Sequence, residues 1–377
     1  CESSVNLFLS GGTYVAKARL KVLNLEQPED WLSALNRVST QDIYFMPDYL
    51  RMVSANGDGI PKLAWLTCDH GDVVYPFLVR PINIEGIDTG FCDIASPYGY
   101  SGPIVKSINE DDTHDLASEF VQQFHSYCAS TGIVAEFIRF HPLLRNANTF
   151  SGLIPVEYVR DTVYIDLRES SDKIWTDRLE GRTRNAIRKS EKSGVCVRYS
   201  HAECIPCFMD LYSETMQRLE ADTYYYFTES YFKHLGELVD KSGILIEAVY
   251  ESKVIASIVL LKGDKFSHYH LSASDPQFRR LQANSLLLWE AIKWSQNQGL
   301  SLMHLGGGYS SSYDSLFKFK AGFSPYTGEY HVGKVIHDGK KYAEMVTQAL
   351  GRNKKEDIES TGFFPAYRLS VEEGELK

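Results

Sequence analysis

The sequence predicts an α/β protein of two mixed-sheet domains with a cleft between them. Three observations carry this. At 377 residues the chain exceeds the size at which a single hydrophobic core keeps growing, so two domains are expected. Stretches of period-2 apolar alternation, as in strands, are interspersed with stretches of helical periodicity. The stretch 265–325 reads, in order, strand, turn, amphipathic helix, buried strand, glycine-rich loop and a last strand. The strand at 156–167 is expected to lead into the second domain.

Within that stretch, 265–272 alternates, with Phe266, His268 and His270 on one side and Ser267, Tyr269 and Leu271 on the other. A turn over 277–284 leads into a helix over 283–298, where Leu287, Ala291 and Trp294 share a face and Gly299 suits the C′ position. The strand 300–305 ends in Gly306, Gly307 and Gly308, at the strand end where open α/β sheets tend to place ligands. In the segment FKFK, taken as a strand, Lys318 and Lys320 share one face and Phe317 and Phe319 the other.

Composition narrows the function classes. Hydrophobic and charged shares of 44% and 23% are ordinary for a globular protein. No apolar run approaches the roughly 18 residues of a membrane span, and CESSVNLFLSGG lacks a charged leader followed by a long apolar core. For the chain as given, which begins with Cys, a cytoplasmic location is expected. A net charge of −10 argues against a surface that binds DNA. Seven cysteines, an odd number, suit a reducing compartment. Cys204 and Cys207 have redox spacing but no surrounding thioredoxin-like pattern and no second pair for zinc; Pro206 near a helix start accounts for them. No metal site is expected.

In order, 28–38 reads as a helix, 44–45 as extended, 48–55 as a helix, and 62–68 with 72–81 as a strand pair turning at 70–72. The segment DIASPYGYSGP, 93–103, is dense in turn formers and can point Tyr98 and Tyr100 outward. A helix over 112–131 carries Leu116, Phe120, Phe124 and Cys128 on one stripe, and strands follow at 133–140 and 156–167. His141 before Pro142 reads as an interfacial structural histidine, with a general base as the alternative. Arg184, Arg188 and Lys192 are spaced to line one helical face, suited to ligand phosphates or simply to solvent. Helices are expected at 206–218 and 229–240, separated by the tyrosine run 224–226. Strands follow at 244–250, 254–262 and 329–336, then a helix at 340–350 and a charged tail in which 363–365 docks onto the body.

The 265–325 unit, with its HYHLSASD strand, RRLQANSLLLWEAIKW turn and helix, LGGG loop and FKAGF ending, resembles the second half of an N-acetyltransferase (GNAT) fold. With SPYGYSGP, EFIRFHP and RTRNAIRKSEKSGV it looks more specifically like the Fem family of aminoacyl transferases, which build peptide bridges on cell-wall precursors. The resemblance covers about 20–350. It implies two GNAT-like domains, the first 1–160 with a C-terminal return at 326–377 and the second 161–325 with the donor site, and an N-acyltransferase that moves an aminoacyl or acyl group onto an amine of an envelope precursor such as a muropeptide, nucleotide- or lipid-linked. Lys320, with Lys318 as competitor, would be catalytic; Tyr98, Tyr100, Asp93 and Arg139 would bind the acceptor; Arg184, Arg188, Lys192 and Arg280 would hold donor phosphates. The long helical arm of many Fem proteins does not fit between 192 and 244, which implies a compact member.

No cofactor is expected, the acyl donor being a co-substrate: charged tRNA, or acyl-CoA in the alternative. CoA enzymes use a glycine-rich turn whose backbone approaches the pyrophosphate closely. Here Gln282 and Asn284 stand at the glycine positions. The alternatives are an acyl-CoA-dependent N-acyltransferase acting on an amino sugar of an envelope polysaccharide, and a non-catalytic binding protein on the same fold. The chain has no G-x-S-x-G elbow, H-E-x-x-H pair or Walker lysine loop.

Overall fold

The computed structural model describes residues 18–309, 313–350 and 363–369. Thirteen strands are present among them: β1 Arg19–Asn24, β2 Ile60–Cys68, β3 Gly71–Ile84, β4 Ile87–Ala95, β5 Ile104–Ser107, β6 Ile133–Arg139, β7 Val156–Asp166, β8 Cys196–Ser200, β9 Gly243–Tyr250, β10 Lys253–Lys262, β11 Phe266–Ser274, β12 Leu302–Gly306 and β13 Thr327–Ile336. They form one sheet in the order β1-β2-β3-β4-β6-β13-β7-β12-β11-β10-β9-β8, with β5 against β3.

The two halves repeat one build. In each, an antiparallel meander (β2-β3-β4; β9-β10-β11) is followed by a helical crossover to a parallel neighbour. The crossover helices are Thr113–Ser130, leading to β6, and Ala283–Asn297, leading to β12. Parallel neighbours require such a connection, which fixes both helices on the sheet. The late strand β13 inserts between the halves, antiparallel to both β6 and β7.

Helix formation follows the expected chemistry. Pro28–Arg37 and Pro47–Ala55 both begin with proline at the first turn, where the missing N–H costs nothing. Their apolar faces (Trp31, Leu35, Tyr49, Val53) meet those of Ile205–Arg218 and Glu229–Ser242 (Phe208, Tyr212, Tyr231, Leu235) in one core spanning both halves. Between 192 and 244 the chain therefore forms β8 and two packed helices, not an arm. A second core lies beneath Ala283–Asn297, whose Leu286, Leu287, Leu288 and Ile292 cover β7, β9, β10 and β12. No helix among the described residues is long and apolar enough to cross a membrane.

Three expectations are corrected. Residues 44–45 are not extended: Ile43–Phe45 is a 3₁₀ turn, capped by Asp42, whose Oδ1 accepts from the Tyr44 N–H at 3.2 Å. FKFK is not a strand but lies in the helix Ser315–Ala321, capped by Asp314, which accepts from the Phe317 N–H at 2.9 Å. Lys318 and Lys320 therefore do not share a face: Lys318 is exposed, while Lys320 turns inward with Phe317, three residues earlier. Asp93 does not face a cleft. It is fully buried and accepts from Arg80 Nε at 2.7 Å, Arg368 Nε at 2.5 Å and the Tyr367 hydroxyl at 3.0 Å.

Asp93 thus ties 363–369 to β3 and β4, and Phe364 stacks against Tyr342 in the same docking. The tail's remaining residues, 351–362 and 370–377, lie outside the described ones, as does the N-terminal 1–17. Asp93→Ala leaves two guanidiniums, each about a quarter exposed, without their shared carboxylate. We expect a loss of about 2–3 kcal/mol, below the usual cost of breaking a fully buried pair because of that exposure. Unchanged denaturant midpoints in the variant would show that this tie contributes nothing.

Candidate active site

The site opens where β11 and β12 part. Their parallel pairing runs only from Phe266↔Leu302 to His268↔His304, and beyond it β11 continues without a β12 partner. At the end of β12, Gly306 has φ +75°, a conformation that favours glycine. A Cβ there would lie 3.3 Å from the Tyr100 hydroxyl and 3.5 Å from Lys320 Nζ. These two groups, one from each half of the chain, therefore flank the same backbone.

Lys320 is only 7% exposed. Its Nζ donates to the Gly307 carbonyl at 2.7 Å and sits 5.7 Å from the centre of the Tyr269 ring. Burial pushes its amine down to about 7, helped by the Arg160 charge and opposed by Asp314. Burial also raises the Tyr100 phenol, which keeps it a protonated donor at neutral pH.

The Tyr100 loop is fixed by its own backbone chemistry. Asn146 Nδ2 donates to the carbonyls of Ser101 at 2.7 Å and Pro103 at 2.9 Å, and the Tyr49 hydroxyl donates to Tyr98 O at 2.8 Å. Gly99, at φ +95°, lies so close to Tyr44 that a Cβ would meet the ring at 2.2 Å. Tyr100 then packs edge-on against His304 and Tyr330, with ring centres 4.7 and 5.2 Å away. Tyr98 joins a neighbouring aromatic wall with Tyr224, Tyr225 and His270.

Two arginines border Tyr330. Arg160 pairs with it directly across β7 and β13, and Arg139 pairs with Val332 across β6 and β13. Arg160 Nη1 donates to Gly308 O at 2.8 Å while its Nε is buried with no partner among the described residues. Arg139 Nη1 donates to Ser96 O at 2.8 Å and its guanidinium lies 4.9 Å from the Phe137 ring centre. Arg160 was not singled out in the sequence; only the strand register places it beside Tyr330.

The residues expected to hold donor phosphates fall elsewhere. Arg184 turns back to donate from Nη1 to the carbonyls of Trp175 and Thr176, each at 3.1 Å, and of Leu179. Arg188 lies 5.3 Å from the Trp175 ring centre, and Lys192 is exposed at the far end of the helix Gly181–Lys192. Two of the three thus fasten their own helix to the preceding turn. Arg280 is exposed in the 3₁₀ turn Pro276–Leu281. Gln282 follows at φ +59°, in the left-handed conformation usual for glycine, and the helix Ala283–Asn297 starts there without a side-chain cap.

Behind Tyr100 lies a buried polar array that the sequence reading did not assemble. Asp42, His141, His268 and His304 are each about 1% exposed or less. His268 Nε2 lies 2.8 Å from Asp42 Oδ2, and His141 Nε2 lies 3.7 Å from Oδ1. Burial works against ionised Asp42, but its contacts with His268 and His141 hold its carboxyl well below the usual range. Burial above all keeps His304 neutral.

Ligand atoms of Asp42, His141 and His268 lie within 4.8 Å of one another, so the fit to a metal needs testing. His141 Nδ1 accepts from the backbone N–H groups of Leu143 and Leu144, both at 3.2 Å. That use of Nδ1 leaves the proton on Nε2, which then points a hydrogen, not a lone pair, at Asp42. Asp42 thus receives the His268 N–H, with the His141 N–H facing it at 3.7 Å, and the arrangement does not suit metal ligation.

With this geometry described, comparison with known proteins becomes informative. Residues 178–337 match the model of the acetyltransferase (GNAT) domain family. No curated protein matches the chain. The solved structure of FemX is 12% identical, with a TM-score of 0.64 over 86% of this chain and 99% of that one. The C-terminal domain of a putative lysylphosphatidylglycerol synthetase from Agrobacterium fabrum is 15% identical, TM-score 0.51, covering 86% of this chain and 95% of that one. A structure titled L-PGS from Bacillus licheniformis is 12% identical, TM-score 0.51, covering 88% and 99% respectively. Residues 178–337 thus form a GNAT-type acyltransferase domain. The fold over most of the chain is the Fem-like tandem GNAT fold.

The buried lysine carries a stability signature. Its folded value of about 7 lies below the ordinary 10.5, so between those pH values the unfolded chain binds more protons and stability rises with pH. The burial cost is fully present below pH 7 and fades towards pH 10.5. Lys320→Met should therefore raise stability by on the order of 5 kcal/mol below pH 7, with the gap closing by about pH 10. A gap of the same size at every pH, measured by denaturant unfolding, would contradict a buried, depressed amine.

Proposed function

We propose that this acyltransferase moves an aminoacyl, or other acyl, group from an activated ester onto an amine of a cell-envelope precursor such as a muropeptide. One observation carries the proposal: the Lys320 amine and the Tyr100 hydroxyl converge on Gly306 in a site screened from water. Aminolysis of an ester builds negative charge on the carbonyl oxygen and then on the leaving oxygen. A protonated phenol and a shielded amine stabilise such charge more strongly than exposed groups do. An amine near 7 can also give its proton to the departing oxygen and regain one from solvent.

In this reading 161–325 supplies the donor side, and 1–160 with 326–377 the acceptor side. Arg139 and Arg160, set about Tyr330, suit phosphate or carboxylate groups of a nucleotide- or lipid-linked acceptor. The donor is charged tRNA, because Gln282 and Asn284 put side chains where a CoA pyrophosphate needs close backbone approach. An acyl-CoA donor is the second reading, favoured by the uncapped N-terminus of Ala283–Asn297, whose free N–H groups suit an anion.

A thermal-shift panel separates the two. UDP-linked muropeptide should raise the midpoint by mass action and acetyl-CoA should not; a micromolar acetyl-CoA complex would favour the second reading. In an assay with charged tRNA and UDP-linked muropeptide, Lys320→Ala should lower turnover by about 10²–10³, and Lys318→Ala, on the exposed face, by far less. Equal turnover in wild type and Lys320→Ala would remove Lys320 from the mechanism.

A further inference from the structure

The acyl transfer proposed above leaves one proton unaccounted for. The acceptor enters as an ammonium with three N–H bonds and leaves as an amide with one. Two protons depart: one ends on the donor's leaving oxygen, the other needs a second base. Lys320 can give a proton to the leaving oxygen and regain one from the acceptor nitrogen, which leaves the acceptor's other proton without a base.

A second base is built into the fold. Asp42 accepts the N–H of His268 Nε2 at 2.8 Å, so Nδ1 is the ring nitrogen left free to take up a proton. That nitrogen is buried and has no partner among the described residues, and neither have Nε2 of His304 and Nε2 of His141. Such orphaned buried nitrogens are rare and call for a reason. The rings of His268 and His304 are centred 5.7 Å apart on the paired ends of β11 and β12. His304 is two residues before Gly306 on β12, with Tyr100 edge-on against it at 4.7 Å. An oriented, carboxylate-backed imidazole thus leads, through a second imidazole, to the backbone flanked by Tyr100 and Lys320.

We propose that Asp42, His268 and His304 form a buried proton store behind the reacting amine. The acceptor ammonium first loses one proton, by way of His304, to His268 Nδ1, where Asp42 stabilises the imidazolium. The freed nitrogen lone pair attacks the donor carbonyl carbon, and the carbon–oxygen bond to the leaving group breaks as the leaving oxygen takes a proton from Lys320. Lys320 regains a proton from the acceptor nitrogen as the amide forms, and His268 later gives its proton to solvent. In this scheme His304, which takes the proton from the acceptor nitrogen, is a catalytic residue, and His268 and Asp42, which act through it, are positioning residues. The groups facing this path are Asp42, His141 and Tyr44 around His268; His141, Tyr100 and Lys320 around His304; and Arg160, Asp314 and Tyr269 around Lys320.

The inference rests on the acyl-transfer reading, and its test keeps the two apart. With charged tRNA and UDP-linked muropeptide, His268→Gln and His304→Gln should each lower turnover by about 10²-fold at pH 6.5. The loss should shrink below about tenfold at pH 9, where the acceptor amine is deprotonated before it binds. A loss equal at every pH marks a merely structural role and overturns the proposal. Lys320→Ala, run alongside, reports on acyl transfer itself: if it is inactive while both histidine variants keep the wild-type pH profile, only the proton store fails. Independently of activity, nitrogen NMR of the full wild-type chain at pH 8.5 should show His268 protonated on Nε2 and bare on Nδ1, unchanged by zinc chloride. The opposite tautomer, or stoichiometric zinc on these rings, overturns the proposal even if the variants do not fold.

Discussion

Placing a primary amine inside the protein against a backbone carbonyl is the constraint on which the rest of the site depends. Lys320 reaches Gly307 because a short helix, started by Asp314, turns its third residue, Phe317, and its sixth, Lys320, towards the core together. Desolvation then makes the ammonium costly and brings the amine into the range where it can exchange protons at neutral pH. The glycines at the end of β12 matter for the same reason. Side chains at 306 would fill the space in which Tyr100 and Lys320 meet.

This meeting requires both halves of the chain. Tyr100, Asp42 and His141 come from the first, and Lys320, His268 and His304 from the second. They are held in register by a continuous sheet in which β13 joins β6 to β7. A core of aromatic side chains from both halves backs the same junction. Rigid elements thus position the groups, as preorganised electrostatic catalysis demands. The tyrosine loop is no exception, because Asn146, Tyr49 and the close approach of Gly99 to Tyr44 fix its path.

Much of this was legible in the sequence, where the signal was local. The alternation of β11, the stripe of Leu287 and Ala291, the turn residues of SPYGYSGP and the fold resemblance all pointed to the observed architecture. FKFK misled because four alternating residues fit a strand as well as a helix turn, and Asp314 as N-cap was the signal that separates them. Asp93 misled because a carboxylate beside a conspicuous loop looks available, whereas its partners Tyr367 and Arg368 lie some 270 residues away. Arg184 misled because helical spacing places side chains on a face but does not say that the preceding turn will consume them. The Asp42–His268–His304 array could not be read at all. Its members are far apart in the chain, and only strand register brings them together.

The central claim is that Lys320 is buried and holds its proton loosely, and direct titration of that amine tests it. Nitrogen and carbon NMR of lysine-labelled protein, with Lys320→Arg to assign the signal, would follow its protonation against pH. A midpoint near 7 is the result the structure requires. A midpoint near that of exposed lysines would mean that the amine is solvated and that the site works by some other means.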